Sequence, residues 1–315
     1  MSETSRARYF LIGLTAACYA SALILARLVC LKVDPAEFVN LAAVSLGFVA
    51  LFGPLCHWRK IPSLRSAVET MGLGMALTGP LVMLTYVAAT VNQPLQDQRL
   101  ILMDRHLGID WHALIAIIDA HAMLARTLSF AYQAFGFQLL LLPGLLCIMG
   151  RAARAYQMTG AYGLVCIFAS VISIWYPALG TYAALSVDIH HFKNIDPSTG
   201  IEFLTQLMAV RDDPNFILRL NHASGIISFP SVHAAVGVLC AWAVWPFKWI
   251  RWPFVLLNTL MICSAITGGA HYVVDLISGI GVAGFAIALV LYVTRPHSKA
   301  IEPLPANDQI FTEQL

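Results

Sequence analysis

The chain has 315 residues, of which 59% are hydrophobic and only 11% charged, with a formal net charge of +2. A soluble globular domain carries about 25% charged residues, so this composition argues against a water-soluble fold. The near-neutral balance offers no basic surface for a nucleic-acid partner. The apolar residues come in long blocks rather than narrow stripes, which predicts an all-α, polytopic membrane helix bundle.

The first block covers residues 8–30, after a polar start that includes Arg6 and Arg8. It is too long for a signal-peptide core and no small-residue cleavage site follows, so it is expected to remain as an uncleaved first span. Further blocks fall at 38–56, 70–91, 127–149, 159–186, 229–247, 252–269 and 270–294. That makes about eight spans near the ~20 residues a bilayer requires. Only a tight turn at Gly268 and Gly269 divides the last two. Residues 1–295 are expected to form one integral-membrane domain and 296–315 a polar cytoplasmic tail. Between the blocks lie two long connections. Residues 92–126 contain a helix-like stretch from Trp111 to Thr127, whose Leu114, Ile115, Ile117, Ile118 and Leu124 suit an interfacial helix. Residues 187–228 contain a short amphipathic pattern between Gly200 and Val210.

Charge sets the orientation. Arg59, Lys60, Arg65, Arg151, Arg154, Lys248, Arg251, Arg295 and Lys299 share one side with Arg6 and Arg8, where the short loops hold a single acid, Glu69. The opposite side is rich in Asp34, Glu37, Asp97, Asp104, Asp110, Asp188, Asp196, Asp212 and Asp213. Both termini are therefore expected in the cytoplasm. The seven cysteines show no CxxC pair or regular spacing, and read as small apolar residues.

Two segments on the non-cytoplasmic side carry chemistry. Phe229-Pro230-Ser231-Val232-His233 places a histidine at the start of an apolar run. With Pro230 in the first helical turn, the N–H groups of Ser231, Val232 and His233 become free donors for a phosphate. The Ser231 hydroxyl adds another, and His233 can protonate a leaving oxygen. His271-Tyr272-Val273-Val274-Asp275 places a carboxylate one helical turn after a second histidine. Asp275 can hold one ring nitrogen of His271 as N–H and leave the other free to attack. Gly268 and Gly269 are expected to leave room for a substrate headgroup. Together these suggest a histidine nucleophile with a second histidine as acid and then base.

The segments "FPSVHAA" and "GGAHYVVDLISG" resemble the second and third motifs of the type 2 phosphatidic acid phosphatase superfamily. The branch that includes inositol phosphorylceramide synthases is the most similar, and "MDRHLGIDWHAL" resembles a segment common in bacterial members. The resemblance implies a six-helix core with His271 as nucleophile, Asp275 as its orienting partner, His233 as leaving-group acid and Ser231 in the phosphate cradle. It implies no metal or other cofactor, a membrane-lipid substrate with a phosphate-containing headgroup, and no obligate protein partner. The chain departs from the family pattern where Ser264 and Ala265 stand in place of Ser-Arg, and where the first, lysine- and arginine-bearing motif is missing. Arg211, then Arg219 and Lys193, are the candidates to supply the lost cation.

The expected function is thus a lipid phosphatase or an inositol-phosphotransferase-like enzyme. Its site would face the periplasm of a bacterial inner membrane. Two other classes stay open: a transporter using the histidines as a proton relay, which would call for an inverted repeat, and a non-catalytic family member. His190, His191 and His222 lack metal-ligand spacing. Asp104, Arg105, His106 and Asp110 read as a solvated interfacial turn, and Arg27 as a snorkelling side chain.

Overall fold

The structure is a computed structural model that describes residues 1–296, so the tail expected over 296–315 and Lys299 lie outside the described residues, save for Pro296. Twelve α-helices build the described chain. They are α1 (Glu3–Leu28), α2 (Pro35–Trp58), α3 (Pro62–Thr90), the short α4 (Asp97–His106) and α5 (Trp111–Ala120), α6 (Ala122–Ile148), α7 (Ala152–Trp175), the four-residue α8 (Thr181–Ala184), α9 (Ser198–Asp212), α10 (Val232–Val244), α11 (Arg251–Gly268) and α12 (Val273–Thr294). The all-α membrane bundle expected from composition is what forms.

Every predicted block becomes a helix, but not every helix has spanning length. Six of the described helices, α1, α2, α3, α6, α7 and α12, are long and apolar enough to cross a membrane. The block at 229–247 yields α10 of only 13 residues, about 20 Å at the α-helical rise. The block at 252–269 yields α11 of 18 residues, which is not among the six. The two complete the bundle by packing against each other and against α6 and α12.

Local chemistry sets the boundaries. The Asp34 carboxylate accepts from Ala36 N–H and Pro35 occupies the first turn of α2, a pre-organised start. The run 159–186 is cut at Trp175, ahead of Pro177, and α7 begins earlier than expected, at Ala152. The stretch 111–127 is split at His121, which is extended (φ −116°, ψ 93°). Its first half, α5, buries Trp111, Ile115 and Ile118 beside Ala125 and Leu128 of α6. Residues 97–106 form α4 rather than a loop. Strands β1 (Lys32–Val33) and β2 (Ile217–Leu218) pair in parallel and tie the α1–α2 connection to the chain after α9.

One end of the bundle gathers the basic residues around one buried acid. Glu69, 5% exposed, pairs with Arg8 of α1 and Arg65 of α3 and accepts from the Tyr156 hydroxyl at 2.8 Å. Gln157 donates to Glu3 at 2.8 Å and to Thr294 at 2.9 Å, so the start of α1 and the end of α12 meet at that same end. Arg154 caps the carbonyls of Trp242 and Ala243 at the end of α10.

Glu69→Ala leaves Tyr156 and two guanidinium groups without their acceptor. The apparent melting temperature in detergent is expected to fall by the equivalent of about 2–3 kcal/mol, whereas the exposed Glu202→Ala leaves it in place. Equal melting temperatures for the two variants would show that this cluster does not support the fold.

Candidate active site

The opposite end of the bundle holds both histidines. Asp275 sits in the first turn of α12 and is wholly buried. Its Oδ2 accepts from His271 Nδ1 at 3.1 Å, from the Tyr272 N–H at 3.0 Å and from the Ser228 hydroxyl at 2.8 Å. A carboxylate facing Nδ1 assigns the proton to that nitrogen, and Nε2 is left as the ring's other function. The Asp275 carbonyl also accepts from Ser231 N–H at 3.0 Å, which joins the start of α10 to α12. That junction needs Gly279: a Cβ there would come within 2.2 Å of the Ser231 carbonyl oxygen.

His233 is placed by stacking. Its ring lies between Tyr132 and Phe135 of α6, each with a centroid 4.2 Å away, at interplanar angles of 8° and 26°. Tyr132 and Phe135 are three residues apart and so share one helix face. The sandwich limits the ring's rotation. His233 and His271 line a single cavity of about 360 Å³, together with Thr199, Ser224, Gly269 and apolar residues of α3, α6 and α7. Among the described residues that line it, none is lysine or arginine.

A second layer holds the turn that carries His271. Asp104 of α4 is 0% exposed and accepts from Val273 and Val274 N–H, each at 2.9 Å, and from Trp111 Nε1 at 2.8 Å. Asp97, two turns earlier on the same face of α4, accepts from the Tyr272 hydroxyl at 2.8 Å and from the N–H groups of Leu179 and Gly180. Two carboxylates thus meet the first turn of α12, where the helix dipole favours negative charge. Ala270 adopts φ 52° in the turn before it, a left-handed conformation costing about 1–2 kcal/mol for a residue with a Cβ. The Thr181 N–H and hydroxyl both donate to its carbonyl, at 2.8 and 3.1 Å.

Several sequence expectations change here. Asp104 is a buried cap, not part of a solvated turn, because three donors replace its water. Pro230 precedes the N-cap, joined to Phe229 by a cis peptide bond. Ser231 itself is the cap: its hydroxyl oxygen accepts from Ala234 N–H at 3.3 Å and keeps its own proton to donate, whereas its backbone N–H is already engaged by the Asp275 carbonyl. The space at Gly268 is taken by Tyr132, whereas Gly269 lines the cavity against the His271 ring. A Cβ at Gly268 would come within 2.5 Å of the Tyr132 ring, and one at Gly269 within 2.6 Å of the His271 ring. Ala265 is fully buried in a cluster with Ala234 and Leu276.

The structure brings His233, His271 and Asp275 together, with Ser231 directly behind them. It does not bring the two arginines to the cavity wall. Arg211 Nη2 donates to the Gln93 carbonyl at 2.9 Å, and desolvation holds its pKa below the ordinary arginine value. Arg219 is half-exposed, 3.7 Å from Asp34. His190, His191 and His222 are exposed and outside the lining. Sequence reasoning missed Asp97, Ser228, Tyr132 and Phe135. Asp97 and Asp104 stand seven residues apart, two helical turns on one face, which is a legible signal once 97–106 is read as helix. The aromatic pair carries no signal that separates it from core.

Residues 98–289 match the family model described as the PAP2 superfamily, a stretch from α4 into α12 that includes Asp104, His233, His271 and Asp275. No curated protein and no solved structure matches the chain.

Asp104→Ala strands two backbone donors and the Trp111 indole in a buried site. Its apparent melting temperature is expected to fall by the equivalent of about 2–3 kcal/mol, and that of the exposed Arg105→Ala to stay near the parent value. Parity between the two, measured by thermal unfolding in one detergent, would refute the capping role.

Proposed function

The chain belongs to the PAP2 superfamily, and on that premise we propose that it cleaves a lipid phosphoester through a phosphohistidine intermediate. Membership makes it a phosphatase-type enzyme acting on phosphoesters. The observation that carries the finer reading is His271, with Nδ1 tied to a buried carboxylate and its ring opening on the cavity it shares with His233.

In the proposed cycle His271 Nε2 attacks phosphorus as the bond to the lipid oxygen breaks. That oxygen takes the proton of His233. Asp275 retains the Nδ1 proton on His271 and offsets the charge that forms on the ring. A water or an alcohol then gives its proton to His233 and attacks phosphorus, the P–N bond breaks, and His271 is restored. Negative charge on the transferring group calls for nearby donors. The Thr199 side chain and the Ser224 hydroxyl, which is buried without a hydrogen-bond partner, are the neutral ones at hand. Arg211 is the proposed cation at one remove. It lies within electrostatic range of Asp97, which bonds Tyr272 next to His271.

The site lies at the end of the bundle away from the basic cluster. By the positive-inside rule the proposed orientation puts that cluster in the cytoplasm and the histidines on the outer face, periplasmic in a bacterial inner membrane. The likeness of the two motifs to inositol phosphorylceramide synthases supports an alcohol, inositol or a lipid hydroxyl, as the second-step acceptor in place of water.

The test is a product assay on purified protein, with phosphatidate and a phosphoinositide as donors and inositol or a ceramide as acceptor. Free phosphate or phosphoinositol is the product expected of hydrolysis, and a new phosphorylated lipid that of transfer. His271→Ala is expected to abolish turnover while remaining folded, and Asp275→Asn to lower kcat by roughly 10³-fold or more. Turnover by purified His271→Ala would sink the nucleophile assignment. Arg211→Ala is expected to weaken catalysis more than Arg219→Ala, and the reverse order would relocate the cation.

A further inference from the structure

The histidine cavity continues into a second one. Thr78 of α3, Phe135 of α6 and Tyr162 of α7 line both. Beyond this neck lies a cavity of about 240 Å³ whose walls include Met71 and Met75 of α3 and Leu139 and Pro143 of α6, with Met158 and Thr159 of α7 beneath. Thr78 and Gly136 are exposed on the outside of the bundle, so the furrow opens sideways between α3 and α6. It closes at the far end, where α3 and α6 come together: a Cβ at Gly144 would lie 2.7 Å from the Met71 sulfur.

The dimensions and chemistry select an occupant. From Thr85, at the histidine end, to Met71, at the closed end, α3 advances fourteen residues, about 21 Å. One leaflet of hydrocarbon is about 15 Å deep. The second cavity's lining contains no ionisable group apart from the Tyr162 phenol. α3, α6 and α7 are all of membrane-spanning length, so the furrow runs along the hydrocarbon layer and ends at the histidines. Methionines at its closed end supply an adaptable apolar floor.

We infer that the furrow holds one hydrocarbon chain of the lipid whose phosphoester sits at His271, and that Met71, Pro143 and Met158 limit the length of that chain. This rests on the lipid-phosphoester reading of the histidine site. The lipid enters sideways from the bilayer past Thr78 and Gly136, with its headgroup at the histidines and its chain directed toward the basic end of the bundle. Phe135 then has two contacts with one function, stacking on His233 and forming the neck.

The test uses hydrolysis of phosphatidates with six-, ten- and sixteen-carbon chains, so that no acceptor lipid contributes. Gly136→Leu fills the furrow from a position where an added Cβ meets nothing within 4 Å. It is expected to lower the ratio of kcat/KM for the sixteen- over the six-carbon substrate by about tenfold, as if about two methylene groups had lost their burial. Met71→Ala, which deepens the closed end, is expected to shift preference toward longer chains. Parent-like ratios in both variants would overturn the inference. If the parent hydrolyses none of these lipids, the hydrolysis reading fails on its own and the furrow is judged by photolabelling. A phosphatidate with a diazirine at its chain end is expected to label the peptides around Met71 and Met158. Labelling spread evenly over the outer faces of α1 and α2 would overturn the furrow as well.

Discussion

One carboxylate oxygen holds the working end of this molecule together. Asp275 Oδ2 receives the His271 ring, the Tyr272 backbone and the Ser228 hydroxyl, and the same residue's carbonyl receives Ser231. Burying an ionised carboxylate costs several kcal/mol unless donors replace its water. Here the donors come from the segment before α10 and from the turn before α12. Oδ2 gains all three donors only where those two segments meet, and when they meet, the two histidines face one cavity. Fold and site thus share a single electrostatic requirement.

A second pair of buried carboxylates extends that logic outward. Asp104 and Asp97 draw α4 onto the first turn of α12 and onto the chain that leads to α8. Free N–H groups at a helix start attract any anion. In α12 the chain's own aspartates occupy the first turn, so that end serves architecture, and donors for a substrate anion must come from other walls of the cavity. The strained Ala270 turn persists because Thr181 secures its carbonyl. His233 is handled differently: aromatic faces orient it and leave its nitrogens uncommitted to any carboxylate.

The bundle is also polarised along its length. Charged pairs and the hydrogen bonds of the Gln157 side chain gather the start of α1, the first turns of α3, the start of α7 and the end of α12 at one end. The titratable site lies at the other, and apolar packing fills the layer between. α3 and α6 touch near Met71 and separate toward the histidines, so a gap that reaches the reactive groups opens between two helices of membrane-spanning length. A protein acting on a molecule dissolved in the bilayer needs such a sideways opening, because an approach from water would require the substrate to leave the membrane.

By itself the sequence determined the class of fold, the positions of most helices, and the residues His233, His271 and Asp275 as a group. Those features follow from local chemistry. Long apolar blocks must bury their backbone polar groups in helices, and a histidine four residues before an aspartate sits on its face whatever surrounds it. Tertiary structure decided the rest. Asp104 looks solvated in sequence, beside Arg105 and His106, and is buried because α12 presents two unpaired N–H groups to it. Gly268 looks like room for a substrate and is room for Tyr132, a residue more than a hundred positions earlier. The Ser231 backbone N–H looks like a free phosphate donor and is spent on the Asp275 carbonyl. In each case the outcome depends on which distant donor, acceptor or ring arrives at the residue. That is a property of how the helices pack, which no local spacing encodes.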